Sequence, residues 1–168
     1  MFNWIGSHKL SFFSGLFVLL VAAVGLFAYT KQVSPVSLGW FGPVYSNSGV
    51  ALSGYDPVEY HIHAVATPGN SSLSYQWKNS NWRFISNENM EMFKSSPETY
   101  APKFGGFCSF AVSKGFTAAA NPLAWFVQDG KLYMFADEGV KDNWVSQISD
   151  GVIEVTKNQW AKRPDNAR

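Results

Sequence analysis

The sequence is poor in cysteine, since Cys108 is the only one among 168 residues. A single cysteine cannot close an intramolecular disulfide, and it cannot build the metal sites that need two or four thiolates. The sequence also lacks a glycine-rich phosphate loop, a nucleophilic serine elbow and a zinc-protease helix. We therefore expect a domain that is stabilised by packing, and a non-catalytic protein rather than an enzyme.

Charge is absent from residues 10–30, a stretch bounded by Lys9 and Lys31. Twenty helical residues rise roughly 30 Å, which is about the thickness of the hydrocarbon core of a bilayer. The segment predicts a single-pass transmembrane anchor, and a cleaved signal peptide is the alternative interpretation. Apolar side chains would lie on every side of such a helix, and those expected to contact lipid include Leu10, Phe17, Leu20 and Phe27.

The few charges near this stretch set the expected location of the rest of the chain. Lys9 and the amino terminus lie on one side of it, and Lys31 alone lies on the other. Because basic flanks tend to stay in the cytoplasm, we expect the large domain outside it, in the periplasm if the host is a Gram-negative bacterium. The expected partners are the membrane, through this helix, and a membrane or periplasmic protein.

The remainder of the chain carries charges of both signs, and acidic residues outnumber basic ones by one after position 50. No basic stripe is present, so nucleic acid is not an expected partner. Composition divides the chain into a short flank (1–9), the anchor (10–30), a glycine- and serine-containing linker (31–53), a domain (54–160) and a polar tail (161–168).

Residue periodicity within the domain predicts an α+β fold of β-hairpins and short helices. Leu73, Tyr75 and Trp77 alternate with polar residues, as in a half-buried strand. Turn-forming residues at 79–81 precede a returning strand that begins at Trp82. No alternating strand and helix rhythm indicates a parallel sheet of the βαβ kind.

Further elements are predicted from local signals. Ser86 is a candidate helix N-cap, and Pro97 is suited to the first position of another short helix. Asp129-Gly130 between two apolar runs predicts a second hairpin. Apolar residues at a four-residue spacing predict an amphipathic helix over residues 137–149, with Gly151 as its cap.

Three residues are candidate metal ligands. Cys108 follows two glycines that would let the backbone approach a ligand, although a free cysteine can equally be a small buried apolar residue. His61 and His63 lie two residues apart, so on an extended strand both imidazoles would face one side and could reach one copper or zinc ion. Two ordinary histidines on an exposed strand are the alternative interpretation.

Several blocks of the sequence resemble a YHS domain. They are residues 54–60 (GYDPVEY), the aromatic pairs Tyr75/Trp77 and Trp82/Phe84, and the segment from Phe93 to Pro102. Residues 103–115 (KFGGFCSFAVSKG), and Trp125 with 129–133 (DGKLY), are similar to the branch known as YHS domain-containing (seleno)proteins. The resemblance covers about residues 50–160.

The resemblance implies a YHS-type fold and, less directly, metal binding. Short YHS domains of copper pumps carry a cysteine just after an Asp-Pro-Val sequence, but Glu59 stands at that place here. Cys108 matches the position of the seleno-branch, whose name implies that a thiol or selenol matters in some of its members.

These observations lead to three hypotheses of function. In the first, the protein is a membrane-anchored, extracytoplasmic module that binds copper without catalysing a reaction, through Cys108 with His61 and His63. In the second, Cys108 is the nucleophile of a thiol-redox protein that needs a partner thiol. In the third, the domain is an aromatic-rich interaction or assembly module in which the cysteine is simply buried.

Overall fold

The computed structural model describes the backbone of residues 4–167 and the side chains of residues 16–165. Within this range the chain forms two compact units, one ending at Val33 and the other beginning at Ser34. The second unit combines short sheets with short helices, so the predicted α+β class is confirmed.

The first unit consists of helix α1 (Trp4–Thr30). Among the residues that the structure describes, no helix is both long enough and apolar enough to cross a membrane, so the predicted transmembrane anchor is wrong.

Four residues were expected to contact lipid, and side chains are described from Leu16 onward. The side chain of Leu10 lies outside the described residues. Phe17, Leu20 and Phe27 are exposed on α1. The extracytoplasmic location and the signal-peptide alternative stay predictions.

The linker expected over residues 31–53 is shorter in the structure, because from Ser34 on the chain belongs to the second unit. Val36, Val44, Ala51 and Leu52 are buried there. Ser48 and Gly49 form a turn between two short strands. The four buried residues pack into the core, whereas Leu38 and Trp40 are exposed.

The strands of the second unit form three small sheets. In chain order they are β1 (Ser34–Pro35), β2 (Ser46–Asn47), β3 (Val50–Ala51), β4 (Asn70–Trp77), β5 (Ser80–Phe84), β6 (Phe116–Thr117), β7 (Asn121–Gln128) and β8 (Lys131–Phe135). β1 pairs with β6, β7 pairs with β8, and the remaining four lie in the order β2-β3-β5-β4. All pairs are antiparallel except β3 with β5.

The helices of this unit are short and connect the sheets. They are α2 (Glu59–Ile62), α3 (Asn87–Ser95), α4 (Pro97–Tyr100), α5 (Ser109–Ser113), α6 (Glu138–Val145) and α7 (Val152–Trp160). Ser86 caps α3, as predicted, because its Oγ accepts a hydrogen bond from the main-chain N–H of Asn89 at 3.1 Å. Pro97 occupies the start of α4, also as predicted.

Both predicted hairpins are present, and both turn on two residues with positive φ, the geometry that matches strand twist. In β7–β8 these are Asp129 and Gly130, as expected. In β4–β5 they are Lys78 and Asn79, so the turn begins one residue before the segment expected from composition.

The helix predicted over residues 137–149 ends earlier, at Val145. Its start is marked by Asp137, whose Oδ1 accepts a hydrogen bond from the main-chain N–H of Val140 at 2.8 Å. Gly151 adopts φ of 83° and precedes α7 rather than closing α6. The prediction merged a helix with the turns that follow it.

Strand β8 lies between two clusters of buried side chains. Leu132 and Met134 pack into the first cluster, which includes Trp82, Phe84 and Phe93. Tyr133 and Phe135 pack into the second cluster, which includes Phe104, Phe107 and Trp144. Because successive strand residues point to opposite faces, one strand serves both clusters.

The carboxylate of Asp56 is fully buried and joins three segments of the chain. Its Oδ1 accepts a hydrogen bond from the main-chain N–H of Val58 at 2.8 Å, which closes a turn over Pro57. Its Oδ2 accepts from the N–H of Ile85 at 2.9 Å and from Nδ2 of Asn89 at 2.8 Å. One side chain thereby ties the start of α2 to the end of β5 and to α3.

Replacing Asp56 with asparagine tests this junction. An amide group in place of one oxygen turns a donor toward the N–H of Val58 or of Ile85, since both oxygens accept in the native fold. We expect the free energy of unfolding in urea to fall by about 2–4 kcal/mol.

Asp129→Asn is the matched control, because Asp129 is exposed in a turn whose positive φ asparagine also adopts. Its loss should stay below about 0.5 kcal/mol. Equal losses in the two variants would contradict a structural role for the Asp56 carboxylate.

Candidate functional site

Cys108 is buried, with 2% of its surface exposed. It lies at the amino end of α5, where its main-chain N–H donates to the oxygen of Ala118 at 3.0 Å, and it bridges to Met134 of β8. Burial raises the pKa of the Cys108 thiol above its ordinary value, although nearby main-chain hydrogen bonds oppose the shift. The arrangement favours a neutral, shielded thiol rather than a reactive thiolate.

His61 and His63 lie at α2 and not on the extended strand that would have turned both imidazoles to one side. The Nε2–H of His61 donates to the main-chain oxygen of Tyr100 at 3.2 Å. Burial lowers the pKa of His61, the hydrogen bond to Tyr100 opposes the shift, and the nearby ammonium of Lys103 lowers it further. This histidine is held as a neutral donor.

His63 faces a different group, the carboxylate of Glu59. Its Nδ1 lies 3.1 Å from both carboxylate oxygens. Nδ2 of Asn89 also donates to Glu59, at 2.9 Å, so the same amide nitrogen contacts Glu59 and Asp56. Glu59 is therefore an internal acceptor at the place where the copper-pump pattern has a cysteine.

The three expected metal ligands therefore have separate surroundings. Cys108 contacts α5 and β8, His61 contacts Tyr100, and His63 contacts Glu59. In the part of the chain that the structure describes, no group of three or more histidine, cysteine, aspartate or glutamate side chains could hold a metal ion. Copper binding through these three residues stays a prediction.

A cleft of about 210 Å³ lies elsewhere in the second unit. Its walls are rich in aromatic rings, proline and lysine, and they consist of Pro43, Val44, Trp77, Lys78, Trp82, Glu98, Ala101, Pro102, Lys103, Phe104, Gly105 and Trp160. Trp77 and Trp82 belong with the first buried cluster, whereas Phe104 and Trp160 belong with the second. The cleft thus opens where the two clusters meet the surface.

Comparison with protein-family models, with curated proteins and with solved structures finds no match for this chain.

The aromatic rings of the cleft are fixed by their neighbours. Trp82 is 1% exposed, and its Nε1–H donates to the main-chain oxygen of Trp77 at 3.1 Å. The ring centroids of these two tryptophans are 5.7 Å apart, and Trp82 lies 5.0 Å from Phe93 beneath it. Trp160 lies 6.0 Å from Phe104 on the other side. Pre-positioned rings lose little conformational entropy on binding a ligand.

Arg163 holds one wall of the cleft in place. Its guanidinium donates to both carboxylate oxygens of Asp165, at 2.8 and 2.9 Å, and to the main-chain oxygen of Phe41 at 2.8 Å. The same guanidinium lies 4.7 Å from the ring centroid of Trp160. Arg163 is 2% exposed, so the polar tail expected over residues 161–168 contains a residue that is built into the fold.

Gly105 brings another wall close to Pro43. It adopts φ of 62°, and a Cβ at this position would lie 2.0 Å from the carbonyl oxygen of Pro43. The approach is fixed by a hydrogen bond of 2.8 Å from the N–H of Tyr45 to the oxygen of Gly105. Gly105, one of the two glycines that were associated with Cys108 in the sequence, therefore shapes the cleft.

Sequence reasoning did not identify the cleft, because its residues come from five separate parts of the chain. Trp77 and Trp82 were recognised as hairpin residues, and Gly105 as a close-approach residue. Nothing in the sequence indicated that α7 would bring Trp160 to them. The available signal for this wall of the cleft was Trp160 itself, an aromatic residue near the end of the sequence.

Alkylation of the thiol tests the burial of Cys108. We expect the native full-length chain to react with iodoacetamide at least about 100-fold more slowly at pH 8 than the chain in urea, because the sulfur is covered and its raised pKa suppresses the thiolate. The native rate should stay low up to pH 9. Rapid native alkylation at pH 7 would contradict this account and support the thiol-redox hypothesis.

Gly105→Ala tests the close approach that shapes the cleft. Both the positive φ and the clash with Pro43 oppose the new methyl group, so we expect a loss of about 2–6 kcal/mol in the free energy of unfolding. Gly130→Ala is the matched control, since Gly130 has φ of 67° and open space around it. Its loss should be about 1–2 kcal/mol, and an equal loss in both variants would show that the contact with Pro43 is unimportant.

Proposed function

We propose that the second unit is a non-catalytic binding domain whose ligand inserts a flat apolar group into the aromatic cleft. The observation that carries this proposal is the convergence of Trp77, Trp82, Phe104 and Trp160 on one opening. Buried aromatic pairs add about 0.5–1.5 kcal/mol beyond their area, and stacked rings accept many flat partners. This is the third of the hypotheses that the sequence left open.

The size of the cleft limits the ligand. A volume of about 210 Å³ lies below the ~300–1,000 Å³ of sites for drug-sized molecules. One ring with a short substituent fills such a space. The cleft therefore suits a small molecule, or the single ring of a larger one.

The other two hypotheses have less support among the contacts. Copper binding needs Cys108 beside the histidines, and their surroundings differ. Thiol chemistry needs an accessible sulfur, and that of Cys108 is covered. Both stay predictions, as does the resemblance to YHS domains.

Phenylacetamide, a neutral ring with a short polar substituent, is a suitable first probe of the full-length chain. Titration should shift the indole Nε1–H signals of Trp77 and Trp160 saturably in ¹⁵N–¹H spectra. The signal of Trp144 should not move, because this side chain is fully buried, donates to Thr156 and does not line the cleft. Shifts in none of these signals, or equal shifts in all three, would contradict the proposal.

Substitutions should then locate the binding energy. We expect Trp77→Leu and Trp160→Leu each to weaken phenylacetamide binding about 2- to 10-fold, the equivalent of one aromatic contact. Trp40→Leu is the control, since Trp40 is 71% exposed and lies outside the cleft lining. A loss as large in Trp40→Leu would place the ligand elsewhere.

A further inference from the structure

Three charged side chains line the cleft, and two of them, Lys78 and Glu98, form an ion pair with each other. Nζ of Lys78 lies 2.7 Å from a carboxylate oxygen of Glu98 and 4.4 Å from the ring centroid of Trp77. Glu98 thus has its counter-ion, and Lys78 has both a carboxylate and an aromatic face. Neither group needs a ligand to balance its charge.

Lys103 is in a different position. It is half-buried in the lining, and its Nζ donates to the main-chain oxygen of Glu98 at 3.3 Å. Among the residues whose side chains are described, no carboxylate forms an ion pair with it. A carbonyl uses one of the three donors of an ammonium group, so two remain for a ligand.

The position of Lys103 follows from the local backbone. It comes directly after Pro102, whose ring lines the same cleft, and directly before Phe104, whose side chain is buried in the second cluster. Because its neighbours on both sides are fixed, the lysine is held at the mouth of the cleft. His61 is the other titratable group that it influences, and burial keeps that imidazole neutral.

We propose that the ligand of the aromatic cleft is an aromatic carboxylate, with its ring between the tryptophans and its carboxylate on the ammonium of Lys103. This inference depends on the proposed function, because it assigns a charge to the ligand of the same cleft. The ring supplies the apolar contact and the anion supplies the counter-charge that Lys103 lacks. A charge-assisted hydrogen bond of this kind is stronger than a neutral one.

The test compares three probes that share one ring: phenylacetate, phenylacetamide and the cation 2-phenylethylammonium. Each is titrated into the full-length chain at low salt and followed by the indole signals of Trp77 and Trp160. We expect phenylacetate to bind about three- to tenfold more tightly than phenylacetamide, and the cation to bind most weakly. Raising the salt to 0.5 M should shrink the ratio, because exposed charges are then screened.

Two variants assign the effect to one residue. In Lys103→Gln the ratio between phenylacetate and phenylacetamide should approach one, because the anionic probe loses its charged partner. Lys131→Gln removes the same charge from an exposed site outside the cleft and should keep the full ratio. The signal of Trp144 reports whether each variant remains folded.

The outcomes separate the two proposals. If phenylacetamide and phenylacetate bind equally, the cleft binds rings but the assignment of an anionic ligand is wrong. Tighter binding of the cation would also overturn that assignment. If no probe shifts the signals of Trp77 and Trp160, the proposed function itself fails.

Discussion

The fold of the second unit depends on strand β8, whose four consecutive buried residues serve two apolar clusters. Leu132 and Met134 point to one face, and Tyr133 and Phe135 point to the other. Full burial of a side chain such as leucine, methionine or phenylalanine stabilises by about 1.5–3 kcal/mol. A strand that is buried on both faces therefore couples the two clusters, and with a single cysteine there is no intramolecular disulfide to share that role.

The cleft is a consequence of having two clusters rather than one. Where they meet the surface, both clusters contribute rings to the lining of the cleft, Trp77 from the first and Trp160 from the second. Two contacts keep this seam in place, namely the approach of Gly105 to Pro43 and the guanidinium of Arg163 beside Trp160. The same packing that stabilises the domain thus leaves a rigid aromatic opening, with one ammonium at its mouth that has no carboxylate partner among the described residues.

Local signals in the sequence predicted the α+β class, both hairpins and the N-cap at Ser86, because each depends on residues that are close in the chain. Three other features were not predicted correctly. His61 and His63 were assigned to a strand, but Asp56 and Pro57 begin a helical turn there, so the imidazoles have different partners. The uncharged stretch was assigned to a bilayer, and no helix in the described part of the chain meets the requirements for one. The cleft was missed because α7, which carries Trp160, was not predicted.

The seam between the two clusters is the proposed binding place of the ligand. Intermolecular nuclear Overhauser effects between phenylacetate and the full-length protein test this proposal most directly, because they report which protons of the ligand and the protein lie close together. If the ligand binds in the cleft, contacts are expected from its ring to the ring protons of Trp77 and Trp160, which line the cleft. Contacts only to residues outside the lining, such as His63 or Trp40, would contradict it.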